Sequence, residues 1–271
     1  MTNITVSDST MSKDMCLPQR MRILGVPVDI LSMEVLVQII ESWIQARDRS
    51  RWIACTNSHG IIEATRDAEF KQVLESADLS VPDGYRLVRI ARQAGYSDAE
   101  HLTAPDLMLR TCELGQERGY RMFFYGDTEQ VLDILVRELT RRYPKLNVAG
   151  TISPPFRPLS DKEEAAYVEE INSAKPDILW VGLGLPKQER WISRNVGYLR
   201  VPVTIAVGAT FKFHSGMVPR APKWMVTRGW EWVWRFSHEP RRLFKRVIIY
   251  GPIFLVKSRL ENWNWSRSSS R

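Results

Sequence analysis

Three polar segments of this chain could do chemistry, and each follows an apolar run that is typical of a β-strand. The segments are residues 57–60, 83–84 and 182–189. In the second segment, Asp83 has the chemistry of a general base, because a carboxylate at a strand end can take a proton from a substrate hydroxyl. Aspartate before glycine is also common in plain turns and helix caps, so both interpretations stay open.

The third segment has the composition of a turn that faces a phosphate. Gly182 and Gly184 would let the backbone approach a ligand, and Pro186 would begin a helix whose free N–H groups favour an anion. The segment is neither a complete G-x-G-x-x-G motif nor a Walker A motif, and an ordinary strand-to-helix turn is the alternative. At the first segment, Thr56 and Asn57 could bind a sugar or a phosphate, or could cap the next helix.

Other chemistries find little support in the residue types. The four histidines are scattered and make no metal-binding set with nearby acids, and His59 alone follows a strand-like run. The three cysteines lack the spacing of zinc ligands or of a disulfide framework. The sequence therefore predicts no metal site, no bound cofactor and a reducing, cytoplasmic environment.

The elements that would position these segments alternate between strand-like runs and amphipathic helical patterns. The strand-like runs are residues 22–26, 52–56, 78–82, 121–125, 147–151, 177–182 and 203–207. Helices are predicted at 32–46, from Pro105 to about residue 114, and from a capping box that opens at Ser160. This alternation predicts a Rossmann-like parallel sheet flanked by helices, with ligands at the carboxyl ends of its strands.

Charge and tryptophan are concentrated near the end of the chain. Residues 219–271 contain 12 Lys and Arg against 3 Asp and Glu, and six of the ten tryptophans. The remainder is slightly acidic, since the whole chain has 38 basic and 31 acidic residues. We therefore predict three parts: a disordered lead-in at 1–20, an α/β body at 21–217 and a C-terminal appendage at 218–271.

The appendage combines tryptophan, arginine and apolar residues, as segments do that lie on an anionic membrane surface. Packing against the body and binding of single-stranded nucleic acid are the alternatives, and we expect the membrane and no nucleic acid. The longest apolar run, residues 247–256, has about half the length of a membrane-spanning helix, and Gly251-Pro252 interrupts it. The sequence thus predicts peripheral attachment without a transmembrane helix.

Several motifs, taken together and in order, resemble the WecG/TagA/CpsF family of glycosyltransferases, which is glycosyltransferase family 26. The resemblance extends from about residue 21 to residue 246. The motifs are Thr56-Asn57, Ser76-Ala77-Asp78, Pro82-Asp83-Gly84, Ala104-Pro105-Asp106-Leu107-Met108, Pro154-Pro155-Phe156, 181–189, 207–211, 220–222, 229–232 and 239–243.

This resemblance implies an inverting, metal-independent transfer of a sugar from a UDP-sugar to a polyprenyl-diphosphate-linked sugar. It implies an N-acetylmannosaminyl-, mannosaminuronyl- or glucosyltransferase that serves the synthesis of bacterial cell-surface polysaccharides. The implied fold is a Rossmann-like core with a C-terminal appendage that touches the inner face of the cell membrane. Family members are known to self-associate without their appendage, so a homo-oligomer is a further expectation.

The resemblance further implies what particular residues do. Asp83 would deprotonate the acceptor hydroxyl, while Thr56 and Asn57 would lie at the sugar and the phosphates. Cations of the appendage would neutralise the lipid diphosphate or the departing UDP, because a diphosphate that leaves without a metal needs fixed positive charge. These cations are Arg235, Arg242, Lys245 and Arg246. Further binding candidates are Gly84, Phe156, Gly182, Gly184, Lys187, Gln188 and Glu189, of which Gln188 is the best placed.

Three positions depart from the family pattern. Members often have T-x-N where this chain has Cys55-Thr56-Asn57, so Cys55 or Thr56 takes the threonine position. An arginine and a glycine expected ahead of Asp106 are His101 and Ala104. The usual F-D pair is Phe211-Lys212, a change of charge that would favour an acidic donor sugar.

Two other functions are compatible with a Rossmann-like body. A non-catalytic membrane or nucleic-acid adaptor could keep the fold after losing transfer, for example through Lys212. A nucleotide-dependent dehydrogenase would need a G-x-G-x-x-G motif and an acidic partner for the ribose, and the sequence has neither.

Overall fold

A computed structural model describes residues 18–268, apart from the side chains of Lys223, Arg242, Arg246 and residues 262–268. Residues 1–17 of the predicted lead-in lie outside this part, and Gln19 and Arg20 already belong to a strand. The strands are β1 (Gln19–Ile23), β2 (Val26–Ile30), β3 (Arg51–Thr56), β4 (Leu79–Pro82), β5 (Arg121–Gly126), β6 (Asn147–Ile152), β7 (Ile178–Gly182) and β8 (Val203–Ala206).

Helices follow almost every strand of the main sheet. They are α1 (Met33–Ala46), α2 (Ser58–Ala64), α3 (Ala68–Glu75), α4 (Tyr85–Gln93), α5 (Ala104–Arg118), α6 (Glu129–Arg142), α7 (Asp161–Ser173), α8 (Lys187–Asn195), α9 (Thr210–His214), α10 (Lys223–Thr227), α11 (Glu231–His238), α12 (Pro240–Phe244), a π-helical stretch (Lys245–Tyr250) and α13 (Gly251–Ser268).

Six strands form one parallel sheet, in the order β4-β3-β8-β7-β5-β6. The predicted α/β class with a parallel sheet is thereby confirmed. Alternate side chains of each strand enter two apolar clusters, one on each face of the sheet. In β5, for example, Phe123 and Tyr125 join one cluster, whereas Met122 and Phe124 join the other, as the two-residue period of a strand requires.

The strand predicted at residues 22–26 is wrong, because the chain reverses within it. Leu24 and Gly25 both have positive φ, 51° and 78°, and they form the two-residue turn between β1 and β2. Such a turn matches the twist of a tight hairpin. Asp29 of β2 connects the hairpin to the sheet, since its Oδ2 accepts from the backbone N of Ser80 at 2.7 Å.

Local signals explain where several helices begin. The Ser32 side chain caps α1, and the Thr103 side chain caps α5, which has proline in its first turn. Ser160 and Glu163 form the predicted capping box at the start of α7. At α8 the prediction was off by one position, because Pro186 is the N-cap and Lys187 is the first helical residue.

Part of the C-terminal segment, residues 218–268, packs onto the body. Tyr250 and Phe254 are buried in the same apolar cluster as Ile61 and Ile62 of α2. Glu261 accepts a hydrogen bond at 2.8 Å from the backbone N of Leu24. Within residues 18–268, no helix has both the length and the apolar character needed to cross a membrane.

Candidate active site

Three adjoining cavities open along the edge of the sheet where the parallel strands end. We call them after one residue each: the Asp83 cavity of about 420 Å³, the Phe156 cavity of about 600 Å³ and the Tyr85 cavity of about 130 Å³. Gly184, Gly208 and Ala209 line both of the first two. Residues from the ends of β3, β4, β7 and β8 therefore meet at one place, as the sheet rule predicts.

Asp83 follows β4 directly and lines both the Asp83 cavity and the Tyr85 cavity. Its backbone N donates to the carbonyl of Thr56 at 2.8 Å, which extends the pairing of β3 with β4 by one residue. Its Oδ1 accepts from the backbone N of Ala104 at 3.4 Å. The carboxylate is thus held at the mouth of the sheet, where a bound hydroxyl could meet it.

Arg220 lines the same cavity and is held by Asp106. Its two terminal nitrogens donate to the two carboxylate oxygens at 2.7 and 2.6 Å, and one also reaches the Thr103 hydroxyl at 3.2 Å. Burial would raise the pKa of Asp106, but the hydrogen bonds from Arg220 and Thr103 bring it below its usual value. The ion pair therefore stays charged and fixes a guanidinium at the wall of the Asp83 cavity.

Two of the predicted cations, Arg235 and Lys245, line the same cavity. The Arg235 guanidinium lies 5.2 Å from the ring centroid of Phe213, and its Nε is buried without a hydrogen-bond partner among the described residues. Lys245 Nζ lies 5.7 Å from the ring of Tyr250. Of the other two predicted cations, Arg242 and Arg246, the side chains lie outside the described residues.

The strand end of β3 brings Cys55 and Asn57, but not Thr56, to the Asp83 cavity. Thr56 is 2% exposed, and its hydroxyl pairs with that of Ser80 at 2.7 Å. Successive side chains of a strand point to opposite faces, so the cavity takes every second residue. We therefore withdraw Thr56 as a substrate contact. Cys55 lines the cavity instead of Thr56. Burial, together with the charges of Asp83 and Glu189, raises the pKa of the Cys55 thiol.

Asn57 lines the cavity and also caps α2. The sequence had left ligand binding and helix capping open as alternatives, and the position of Asn57 is compatible with both. Its Oδ1 accepts from the backbone N of His59 at 3.1 Å and of Gly60 at 3.2 Å. Gly84 follows Asp83 into the Tyr85 cavity. His101, at the position of the expected arginine, also lines that cavity, and burial lowers its pKa.

In the glycine turn after β7, one backbone N–H is hydrogen-bonded within the protein itself. The backbone N of Gly184 donates at 3.1 Å to Oε1 of Gln188, within the same turn. Gln188 is 3% exposed and lines the Asp83 cavity, whereas Glu189 is 1% exposed and lies beneath it. The predicted candidates of this turn thus divide into cavity-lining residues and one buried carboxyl.

The Phe156 cavity holds the remaining predicted residues, Phe156, Gly182 and Lys187. Phe156 is 79% exposed, so its ring is presented to any ligand in this cavity. Gly182 is required by packing, because a Cβ there would come within 2.6 Å of the Phe211 ring. Lys212 also lines this cavity, with its Nζ 3.8 Å from Asp127, so that part of its charge is already compensated.

Sequence reasoning missed two charged residues of the site, Arg220 and Glu231. Glu231 is in the first turn of α11 and lines the Asp83 and Tyr85 cavities. Both residues belong to motifs that the family resemblance had quoted, and that was the available signal. Within the described residues, no three His, Cys, Asp or Glu side chains form a group that could hold a metal ion.

Comparison with known proteins assigns the family. The model of the glycosyl transferase WecG/TagA/CpsF family matches residues 21–268. The chain belongs to this family. The matched range includes all the residues that line the three cavities.

Several similar proteins bear the name N-acetylglucosaminyldiphosphoundecaprenol N-acetyl-beta-D-mannosaminyltransferase. The one from Bacillus spizizenii is 27% identical over 206 residues, which are 76% of this chain and 78% of the relative. That from Bacillus subtilis is 28% identical, over 72% of this chain and 74% of the relative. That from Staphylococcus aureus strain MW2 is 26% identical, over 87% and 90%.

Proposed function

We propose that this glycosyltransferase moves a sugar from a UDP-sugar to a polyprenyl-diphosphate-linked sugar in the synthesis of a bacterial cell-surface polysaccharide. The observation that carries the proposal is the Asp83 cavity. There a carboxylate at a strand end shares one space with the cationic groups of Arg220, Arg235 and Lys245. A base and an array of fixed cations are what glycosyl transfer to a hydroxyl with loss of a diphosphate requires.

In the proposed reaction, Asp83 takes the proton of the acceptor hydroxyl. The hydroxyl oxygen then forms a bond to the anomeric carbon of the donor sugar as the bond from that carbon to the UDP oxygen breaks. A single displacement of this kind inverts the configuration at the anomeric carbon. The negative charge that develops on the departing UDP is stabilised by the cations of the same cavity.

The cations are held in ways that suit this purpose. Asp106 fixes Arg220 through two hydrogen bonds, so little rearrangement is needed when charge develops nearby. Arg235 keeps a buried Nε unpaired among the described residues, and an anionic oxygen would satisfy it. Three positive groups would do the work of a divalent ion, and we propose that the reaction proceeds without a metal.

We assign the nucleotide of the donor to the Phe156 cavity. An exposed aromatic ring beside a turn with glycine suits the stacking of a base and the approach of a diphosphate. The cavity meets the Asp83 cavity at Gly184 and Gly208, so that a nucleotide in one would deliver its sugar to the other. Lys187 is exposed at this cavity and could contact a phosphate.

The lipid-linked acceptor requires a membrane surface, and we propose that residues 218–268 lie on the inner face of the cell membrane. Large apolar side chains are exposed there next to the exposed bases Arg228, Arg241, Lys257 and Arg259. The apolar residues are Trp224, Trp230, Trp232, Phe244, Ile248, Ile249, Leu255, Val256 and Leu260. Aromatic and basic residues together favour anionic lipid surfaces. Sedimentation with vesicles should then require anionic lipid and weaken as salt rises.

The experiment that tests the proposed reaction measures UDP release in detergent and EDTA. The donors are UDP-N-acetylmannosamine, its uronic acid, UDP-glucose and UDP-glucuronic acid, and the acceptor is a polyprenyl-diphosphate-linked N-acetylglucosamine. The names of the relatives make UDP-N-acetylmannosamine the first donor to test, while Lys212 makes the acidic donors worth including. We expect acceptor-dependent release from one donor. If no donor yields UDP while the protein still binds anionic vesicles, the adaptor function is favoured instead.

A further inference from the structure

Gln188 and Glu189 form a buried pair in the first turn of α8, under the point where the Asp83 and Phe156 cavities meet. Gln188 reaches the wall of the Asp83 cavity, but Glu189 is absent from the lining of all three cavities. Both side chains are at least 97% buried. A charged residue type in such a place calls for a physical reason, because burying an ionisable group without a cation is costly.

The hydrogen bonds of Gln188 supply the first part of that reason. Its Oε1 accepts from two backbone N–H groups, Gly184 at 3.1 Å and Gly208 at 2.9 Å. Its Nε2 donates to Oε1 of Glu189 at 2.8 Å. Because only the oxygen of the Gln188 amide can accept a hydrogen bond, the two N–H donors fix this oxygen toward the glycines. One side chain thus connects the turn after β7 to the turn after β8.

Both of these glycines are in the left-handed region, with φ of 80° at Gly184 and 58° at Gly208. Both also line the two larger cavities. The spacing between the two turns therefore sets the width of the passage from one cavity to the other. In the proposed reaction, the bond between the donor sugar and the diphosphate lies in this passage.

Glu189 acts from the other side of the amide. Gln188 is the one side chain to which it is hydrogen-bonded in residues 18–268, and its Oε2 is buried without a partner there. No cation pairs with it in this part of the chain. Burial raises the pKa of Glu189 to about 7, so that much of it is protonated at neutral pH. The charge of Glu189 acts on the Cys55 thiol, whose pKa is raised by burial together with the charges of Asp83 and Glu189.

We propose that Glu189 is a positioning residue: it holds the Gln188 amide in the orientation that joins the Gly184 and Gly208 turns, without touching the substrate. This replaces the ligand contact that the family resemblance implied for Glu189. If the acceptor for Nε2 is removed, the amide keeps a buried donor without a partner, and rotation of the amide would release both glycine N–H groups. The inference rests on the proposed function in one respect, which is that the bond between the donor sugar and the diphosphate lies in the passage.

The decisive comparison is between Glu189→Leu and Glu189→Gln. Leucine removes the acceptor for Nε2, whereas glutamine keeps a carbonyl oxygen in its place and resembles the protonated acid. We expect Glu189→Leu to speed hydrogen exchange of the Gly184 and Gly208 amides about tenfold and to lower kcat about tenfold, and Glu189→Gln to recover most of both. KM for the UDP-sugar should change less than kcat.

A second pair of variants keeps the test valid if the leucine variant does not fold. Gln188→Glu alone removes the amide donor and places two carboxyls next to each other. Adding Glu189→Gln restores the hydrogen bond in the reverse direction, because the amide at position 189 can donate to the carboxylate at position 188. The double variant should therefore exchange these amides more slowly than Gln188→Glu does. If exchange is the same in both, or if Glu189→Leu exchanges like the wild type, the inference is overturned.

Exchange and activity together separate this inference from the proposed function. If no donor is ever transferred, the exchange measurements still decide whether Glu189 positions Gln188. If Glu189→Gln loses activity as fully as Glu189→Leu while its glycine amides stay protected, Glu189 acts on the substrate through its charge, and the positioning assignment is wrong.

Discussion

The Asp83 cavity and the Phe156 cavity are neighbours at one sheet edge, yet they are built differently. The Phe156 cavity is lined by residues between Tyr125 and Lys212 alone. The Asp83 cavity combines strand ends with residues of the C-terminal segment, 218–268, namely Arg220, Glu231, Arg235, Leu243, Lys245 and Tyr250. Thus the body by itself supplies an aromatic and glycine surface, whereas the charged array is complete only with the C-terminal segment.

In the proposed function, donor binding and chemistry belong to these two different cavities. The body's own surface would then hold the nucleotide whether or not the C-terminal segment touches the membrane. The three cations that would stabilise a departing diphosphate, Arg220, Arg235 and Lys245, all belong to the segment expected to meet the lipid-linked acceptor. We therefore expect changes in the Asp83 cavity to reduce turnover, and changes in the Phe156 cavity to reduce donor binding.

The largest expected effect is that of Asp83→Asn. The amide keeps the size of the side chain and an oxygen for the N–H of Ala104, but it cannot take a proton from the acceptor. We expect kcat to fall about 1,000-fold while the Kd for UDP, measured by calorimetry, changes less than about twofold. Asp133→Asn, on the exposed side of α6, is the matched control. Loss of UDP binding together with turnover would instead assign Asp83 to the structure of the site.

Next in size is Arg235→Ala. Removing one fixed cation from the Asp83 cavity should lower kcat about 100-fold, and Arg235→Lys should recover part of it because the charge remains. Arg241→Ala is the control, since Arg241 is exposed in the same segment and is absent from the lining of the three cavities. Equal losses for Arg235→Ala and Arg241→Ala would mean that general attraction to the membrane, and not the cavity, explains the effect.

A smaller effect is expected in the other cavity. Phe156→Ala should raise the Kd for UDP about tenfold, because a base would lose its stacking surface, with little change in kcat at saturating donor. Its Tm should stay the same, since the ring is 79% exposed. Tyr198→Ala, which removes a ring that is 74% exposed elsewhere, provides the control. A fall in kcat with unchanged UDP affinity would show that the two cavities do not divide the work in this way.

Much of this arrangement could be predicted from the sequence, because strand ends are readable. Apolar runs followed by polar residues located Asn57, Asp83 and the turn at 182–189, and the alternation with helices gave the parallel sheet. The prediction of a strand at 22–26 failed because Leu24 adopts a positive φ, which its residue type does not announce. The hairpin became visible only once the chain was folded.

The assignment of individual residues to the cavities depended on the direction in which each side chain points, which a single sequence does not contain. Whether Thr56 or Cys55 faces the cavity depends on which face of β3 is turned to α2, a result of packing across the whole sheet. Gln188 and Glu189 are adjacent in sequence and both buried, but Gln188 lines the Asp83 cavity and Glu189 lines none of the three cavities. Arg220 became recognisable through Asp106, 114 residues away, and such long-range pairs carry no local signal.

The smallest expected effect concerns the pair beneath both cavities and the dependence of stability on pH. Burial raises the pKa of Glu189 from 4.5 to about 7, so the folded protein holds a proton that the unfolded chain releases. The associated stability is complete below about pH 4.5 and is lost as the pH rises through 7. Glu189→Gln has no proton to lose. The Tm of this variant minus the Tm of the wild type should therefore increase by roughly 5 °C from pH 5 to pH 8. Burial lowers the pKa values of His101 and His214, but these side chains titrate in both proteins and cancel in the comparison. Parallel Tm curves would mean that Glu189 is ionised in the folded protein across this range, with a counter-charge that the pair itself does not contain.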